Sequence, residues 1–116
     1  MIEENSVHYL DKDDIRSLHD ALSEKARASG EPIPPFSCAN ENDLDALVHS
    51  SRQRFFVADA YPTIEEKAAI LFYTVNKRQI FLNGNKRMST LCLLVFLDAN
   101  GKALRVEPDE LTAKAL

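Results

Sequence analysis

The sequence predicts a mainly α fold, a compact helical bundle around one central buried helix with at most a small β element. Apolar residues recur at the 3.6-residue spacing of an amphipathic helix in three separate stretches. The run from Leu91 to Leu97 is apolar almost all round, the mark of a helix buried on every side. The 116 residues, 45% of them hydrophobic, suit a single domain, 1–116, large enough to bury a core.

Val7 to Leu10 is a short extended candidate, and Asp11 follows as a helix cap with Asp14 adding negative charge to the first turn. Ile15, Leu18, Leu22 and Ala26 then set a helix from about Lys12 to Ala28, closed by Gly30. Pro32, Pro34 and Pro35 make the next stretch an extended connector within the domain. Leu44, Leu47, Val48, Ser51 and Phe55 define the buried face of a second helix, capped by Asn40 or Asn42, with Asp43 and Asp45 in its first turn. The aromatic stretch from Phe55 to Pro62 reads as a loop or small hairpin lying near the Arg78–Asn85 loop. Thr63 and Glu66 form a capping-box pattern, and Ile64, Ala68, Leu71, Phe72 and Val75 make a third helix ending near Arg78. The central helix starts near Asn85 or Lys86 and stops at Asn100 Gly101. Ala103 to Val106 is a candidate strand, and Pro108 opens a last helix.

Composition narrows the function classes. Acidic residues outnumber basic ones by 18 to 14, giving a net charge of -4, which argues against a general affinity for nucleic acid or an anionic membrane. The two cysteines, Cys38 and Cys92, are too few for a disulfide scaffold. No apolar run approaches the ~20 residues of a membrane span. Met1 to Asn5 is acidic where a signal peptide is basic, so a soluble, cytoplasmic protein is expected.

The chemistry is concentrated between the last two predicted core helices. Arg78 Gln79 Ile80 Phe81 Leu82 Asn83 Gly84 Asn85, continued by Lys86 and Arg87, places Gly, two Asn and cations between apolar segments. A helix starting at Asn85 turns the free N–H groups of its first turn, and the positive end of its dipole, toward this loop. With Lys86 and Arg87 alongside, the arrangement is an anion cradle of the kind phosphate occupies. A polar cap with two solvated cations has the same spacing, and spacing alone leaves both readings open.

The string Gln79 Ile80 Phe81 Leu82 Asn83 Gly84 Asn85 Lys86 Arg87, with the apolar helix behind it, resembles the Fic/Doc signature HxFx(D/E)GN(G/K)R. The Gly84–Arg87 form, and the Phe96 to Gly101 ending of the helix, look like the Doc (death on curing) branch, toxins of toxin–antitoxin modules. Leu18 His19 Asp20 and the Ala68 to Val75 helix extend the resemblance over about 7–111. It implies a Fic/Doc-type helical bundle whose loop binds the phosphates of ATP, with Mg²⁺, and passes a phosphoryl or nucleotidyl group to a hydroxyl of a protein target. In the Doc branch that target is the elongation factor that delivers tRNA, and an antitoxin is the expected partner. By the same resemblance, Gly84 and Asn85 hold phosphate oxygens, Lys86 and Arg87 neutralise charge, and Phe81 anchors the loop in the core.

Three positions depart from the signature. Gln79 stands where the family has its catalytic His, and an amide has no lone pair basic enough to take a proton near neutral pH. The missing general base is worth ~10² to 10⁴ in rate, or about 3 to 5 kcal/mol. Asn83 replaces the acidic residue that holds Mg²⁺, so it is a weak metal candidate. Thr90 occupies the place of the second Arg of the Fic form, which argues against the geometry of AMP transfer. The expected protein is therefore a Doc-like transferase impaired by Gln79, and the alternative is a pseudoenzyme that only binds phosphate or a partner.

Other polar residues fit ordinary roles. His19, beside the Ile15, Leu18 and Leu22 stripe, reads as a hydrogen-bonded packing residue, and His8 and His49 have no motif context. Ser37 to Asn42 matches the (S/T)xxxE(G/N) pattern of an inhibitory Fic helix, but Glu41 lacks the Arg it pairs with there and better suits a helix N-terminus. Lys77, Arg78, Lys86 and Arg87 form a cation cluster without the interleaved aromatics of a nucleic-acid site. No Cys/His spacing suggests zinc.

Overall fold

The computed structural model describes residues 7–102. The elements run α1 (Lys12–Ala28), a 3₁₀ turn (Phe36–Cys38), α2 (Glu41–Ser50), β1 (Arg54–Phe55), β2 (Ala58–Asp59), α3 (Ile64–Arg78) and α4 (Asn85–Ala99). The chain is thus mainly helical with one small antiparallel hairpin, as the sequence predicts. The strand and helix expected after Ala103 lie outside the described residues.

Local chemistry sets the helix ends. Asp11 closes α1 by a reciprocal capping box with Asp14, at 2.9 and 3.0 Å, and Gly30 follows the helix at φ +79. Asn40, rather than Asn42, caps α2. The Thr63 hydroxyl oxygen accepts from the Glu66 N–H at 3.0 Å, while its O–H donates to the Glu66 carboxylate. Val7 to Leu10 forms no strand. There the Asn100 side chain accepts from His8 N–H and donates to His8 C=O, at 2.8 and 3.0 Å, doing what a neighbouring strand would do.

The core forms where α4 packs against α3 on one side and α1 on the other, with α2 closing over α3. Ile15, Leu47, Val75, Met88, Cys92 and Phe96 are fully buried. Leu91, Leu93 and Val95 are partly covered, so α4 is central without being enclosed all round.

Two expectations need correction. Phe55 does not continue the buried face of α2. The helix stops at Ser50, whose hydroxyl donates to Leu47 C=O, and Phe55 lies on β1, 70% exposed. Nor does the hairpin lie near the polar loop. Lys67, in the first turns of α3 and only 1% exposed, donates to the Asp59 carboxylate at 3.1 Å and to the Tyr61 carbonyl. That fixes the hairpin base to one end of a helix ~22 Å long, while the loop leaves the other end.

The lysine latch makes a prediction. Asp59→Ala strands a buried ammonium and should lower the unfolding free energy by about 2 to 3 kcal/mol, a discount for the partial exposure of Asp59. Adding Lys67→Met should recover most of that loss in urea denaturation. Equal stability of wild type and Asp59→Ala would show that the pair contributes nothing.

Candidate functional site

The loop between α3 and α4 begins with an uncommon backbone. Gln79 ends α3 in the left-handed region, φ 50 and ψ 55, where a residue with a Cβ is disfavoured by roughly 1–2 kcal/mol. Its side chain supports the bend: Nε2 donates to Asn76 C=O at 2.7 Å, and Oε1 accepts from Asn85 Nδ2 at 3.4 Å. The chain then dips into the core at Ile80 and Phe81 and returns to the surface at Leu82 and Asn83. Gly84, at φ +83, turns it into α4.

Asn85 closes the loop from inside. Its Oδ1 accepts from the Phe81 N–H at 2.9 Å, and its Nδ2 donates to the Phe81 C=O at 2.7 Å. The Asn85 side chain, expected to reach toward phosphate, is instead buried and committed to the loop backbone. Phe81 is buried as the sequence implies, stacked on the His19 ring at 5.0 Å between centroids, with Phe36 edge-on to the same imidazole.

His19 is a packing residue, but not a hydrogen-bonded one. Its Nδ1 is buried without a hydrogen-bond partner among the described residues, and desolvation lowers its pKa, with nearby Asp20 opposing. Of the other histidines, His8 lies beside Asn100, and exposed His49 lies on α2; neither lines the loop.

A groove of about 750 Å³ lies over the loop. Phe72, Tyr73, Asn76 and Lys77 of α3 form one wall, and Gln79, Leu82, Asn83 and Gly84 form the floor. Asn85, Lys86 and Arg87 form the other wall. Sequence reading counted Phe72 with the core and gave no role to Tyr73, Asn76 or Leu82. The signal available was the spacing of Phe72 to Asn76 and Tyr73 to Lys77, each pair one helical turn apart in the last two turns before the loop.

The electrostatics favour an anion. The first intrahelical bond of α4 runs from Met88 N–H to Gly84 C=O, so the N–H groups of Asn85, Lys86 and Arg87 precede the helical ladder. The Gly84 N–H is taken by the Asn83 side chain at 2.7 Å. Lys77, Lys86 and Arg87 are exposed and make no ion pair among the described residues. Arg78 leaves this cluster, pairing with Asp43 of α2 at 2.9 Å, and Glu41 pairs with Lys12. Thr90 is buried and its hydroxyl donates to Lys86 C=O, so that position carries no charge.

The donor set is a poor fit for protein-held Mg²⁺. The cation prefers several oxygens, carboxylates above all, and Asn83 offers one neutral carbonyl that already accepts from Gly84. Among the described residues no group of three His, Cys, Asp or Glu side chains is placed to hold a metal. No described helix is long and apolar enough to cross a membrane.

Fold and site together define a helical domain that presents a clamped polar loop and a helix start at the floor of a basic groove. A model of the Fic/DOC family matches residues 9–97, and the chain belongs to that family. It is similar to the Toxin Doc of Mycolicibacterium smegmatis, 33% identical over 66 residues that make up 57% of this chain and 51% of that protein. The chain thus spans about half the length of this curated relative. No solved structure matches it.

The clamp and the buried imidazole generate two predictions. Asn85→Ala leaves two buried backbone groups of Phe81 unpaired and should cost about 2 to 3 kcal/mol, with faster hydrogen exchange at the Phe81 amide than at α1 amides. For His19, the folded pKa lies below the unfolded one, so the unfolded state binds the extra proton. Stability is full above about pH 6.5 and should fall as pH drops from there through the folded pKa. A His19→Phe variant should lose this part of the pH dependence in thermal melts between pH 8 and pH 5.

Proposed function

We propose that this chain is a Doc-like toxin domain that holds the phosphates of a nucleotide at Gly84–Arg87. Its transfer of a phosphoryl or nucleotidyl group to a protein hydroxyl is strongly impaired by Gln79. The observation that carries this reading is a groove lined by the α4 start with Lys86 and Arg87 and by Lys77, none of them in an ion pair among the described residues, and by no carboxylate. In this reading the N–H groups of Asn85, Lys86 and Arg87 meet phosphate oxygens, and the side chains of Lys86, Arg87 and Lys77 offset their charge. Asn85 contributes by holding the loop. ATP is the nucleotide proposed, with any Mg²⁺ carried on its phosphates, and the proposed partners are an antitoxin and, as target, the elongation factor that delivers tRNA.

Gln79 limits the chemistry in two ways. Its amide is not basic, and both ends of it are already hydrogen-bonded, to Asn76 of α3 and Asn85 of α4. That second fact favours a further reading, a pseudoenzyme that keeps the anion-binding loop and uses it to hold a partner.

Calorimetry with ATP and with AMP, with and without Mg²⁺, should show ATP binding that weakens at least tenfold on Lys86→Ala plus Arg87→Ala. Failure of every phosphate ligand to bind would remove both readings. In transfer assays with labelled ATP and the elongation factor, Gln79→His should raise the rate by ~10² to 10⁴. Robust labelling by the unaltered chain would overturn the impairment, and no labelling by either would favour the pseudoenzyme.

A further inference from the structure

A second groove, of about 470 Å³, runs between α2 and α3, and its lining includes His49, Gln53, Tyr61, Ile70, Tyr73 and Lys77. Tyr73 and Lys77 also line the groove over the loop, so the two meet along α3. Neither has an Asp or Glu in its lining, in a chain with 18 acidic residues against 14 basic ones. Arg78, which also lines the second groove, is paired with Asp43 of α2.

We propose that the α2–α3 groove docks an acidic polypeptide segment carrying an aromatic or aliphatic anchor side chain, and leads it toward the polar loop. The apolar part of the lining suits the anchor: Ile70 is half-buried, and Tyr73 is 56% exposed with no aromatic partner among the described residues. Its charge suits a few carboxylates. Lys77 lines the groove and makes no ion pair among the described residues, and Lys86 and Arg87 line the adjoining groove at the loop. The same count argues against nucleic acid, whose affinity rests on many phosphate contacts. Here Arg78 is already paired with Asp43, which leaves few cations to meet phosphates. Docking at this groove does not require the loop to bind a nucleotide.

The test is selection from a phage-displayed random peptide library on the immobilised full chain, then fluorescence anisotropy with the selected peptides. Enriched peptides should combine Asp or Glu with an aromatic or aliphatic residue. Their affinity should fall at least tenfold on His49→Glu and on Ile70→Glu, and fall with added salt. Lys25→Glu, on the exposed end of α1, should leave it unchanged, and all variants are checked by thermal melts. His49 is exposed, so that variant decides the question even where Ile70→Glu fails to fold. ATP titration of His49→Glu should match wild type, because His49 does not line the groove over the loop; loss of ATP binding throughout, with peptide binding kept, would remove the nucleotide reading and leave this one. Enrichment of no peptide, or of basic peptides, would overturn the proposal. So would indifference to His49→Glu, equal damage from Lys25→Glu, or tighter binding of an oligo-dT competitor.

Discussion

The pair of hydrogen bonds between the Asn85 side chain and the Phe81 backbone is the constraint on which the rest of the site depends. A six-residue excursion between two packed helices has to satisfy buried backbone groups that no helix or sheet serves. Asn85 does this with one amide, whose acceptor and donor match one N–H and one C=O. Because Asn85 is also the first residue of α4, the clamp ties the inward dip of the loop to the helix start. Phe81 is then driven against His19, and Gly84 is left in the left-handed region, where a Cβ added to it would reach Leu22 and Ile33 at ordinary contact distances.

The three departures from the Fic/Doc signature share a physical character. Gln79, Asn83 and Thr90 are neutral, and each bonds to nearby backbone, at Asn76, Gly84 and Lys86, with Gln79 also accepting from the Asn85 side chain. The cations, by contrast, remain at the rim without protein partners among the described residues. The site thus carries two kinds of polarity, neutral groups engaged with the protein and formal charge left to the groove.

Helix existence and most helix ends were legible because they are set locally. Asp11, Asn40 and Thr63 bond to N–H groups three residues on, and Gly30 and Gly101 supply the left-handed turns that follow α1 and α4. What could not be read depended on groups distant in sequence or on side-chain direction. Lys67 looks like a surface residue until Asp59 and Tyr61 fold back over it. The motif identified Asn85 as a functional position, but not that its amide would face the loop interior. Phe55 matched the α2 spacing, but the helix ends at Ser50, whose hydroxyl bonds back to Leu47 C=O. The part of Tyr73 and Leu82 in lining the groove was hidden for the opposite reason: exposed apolar residues carry no pattern of their own.

The two cysteines give the molecule an unequal reactivity. Cys92 is fully buried in α4, and burial pushes its thiol up to about 12, far from the thiolate that electrophiles require. Cys38 is exposed on the 3₁₀ turn two residues before Asn40, whose N–H donates to Ile80 C=O in the loop. A maleimide dye should therefore mark one position without mutagenesis. Attached there, it would sit on the segment tethered to the loop backbone and report its movements.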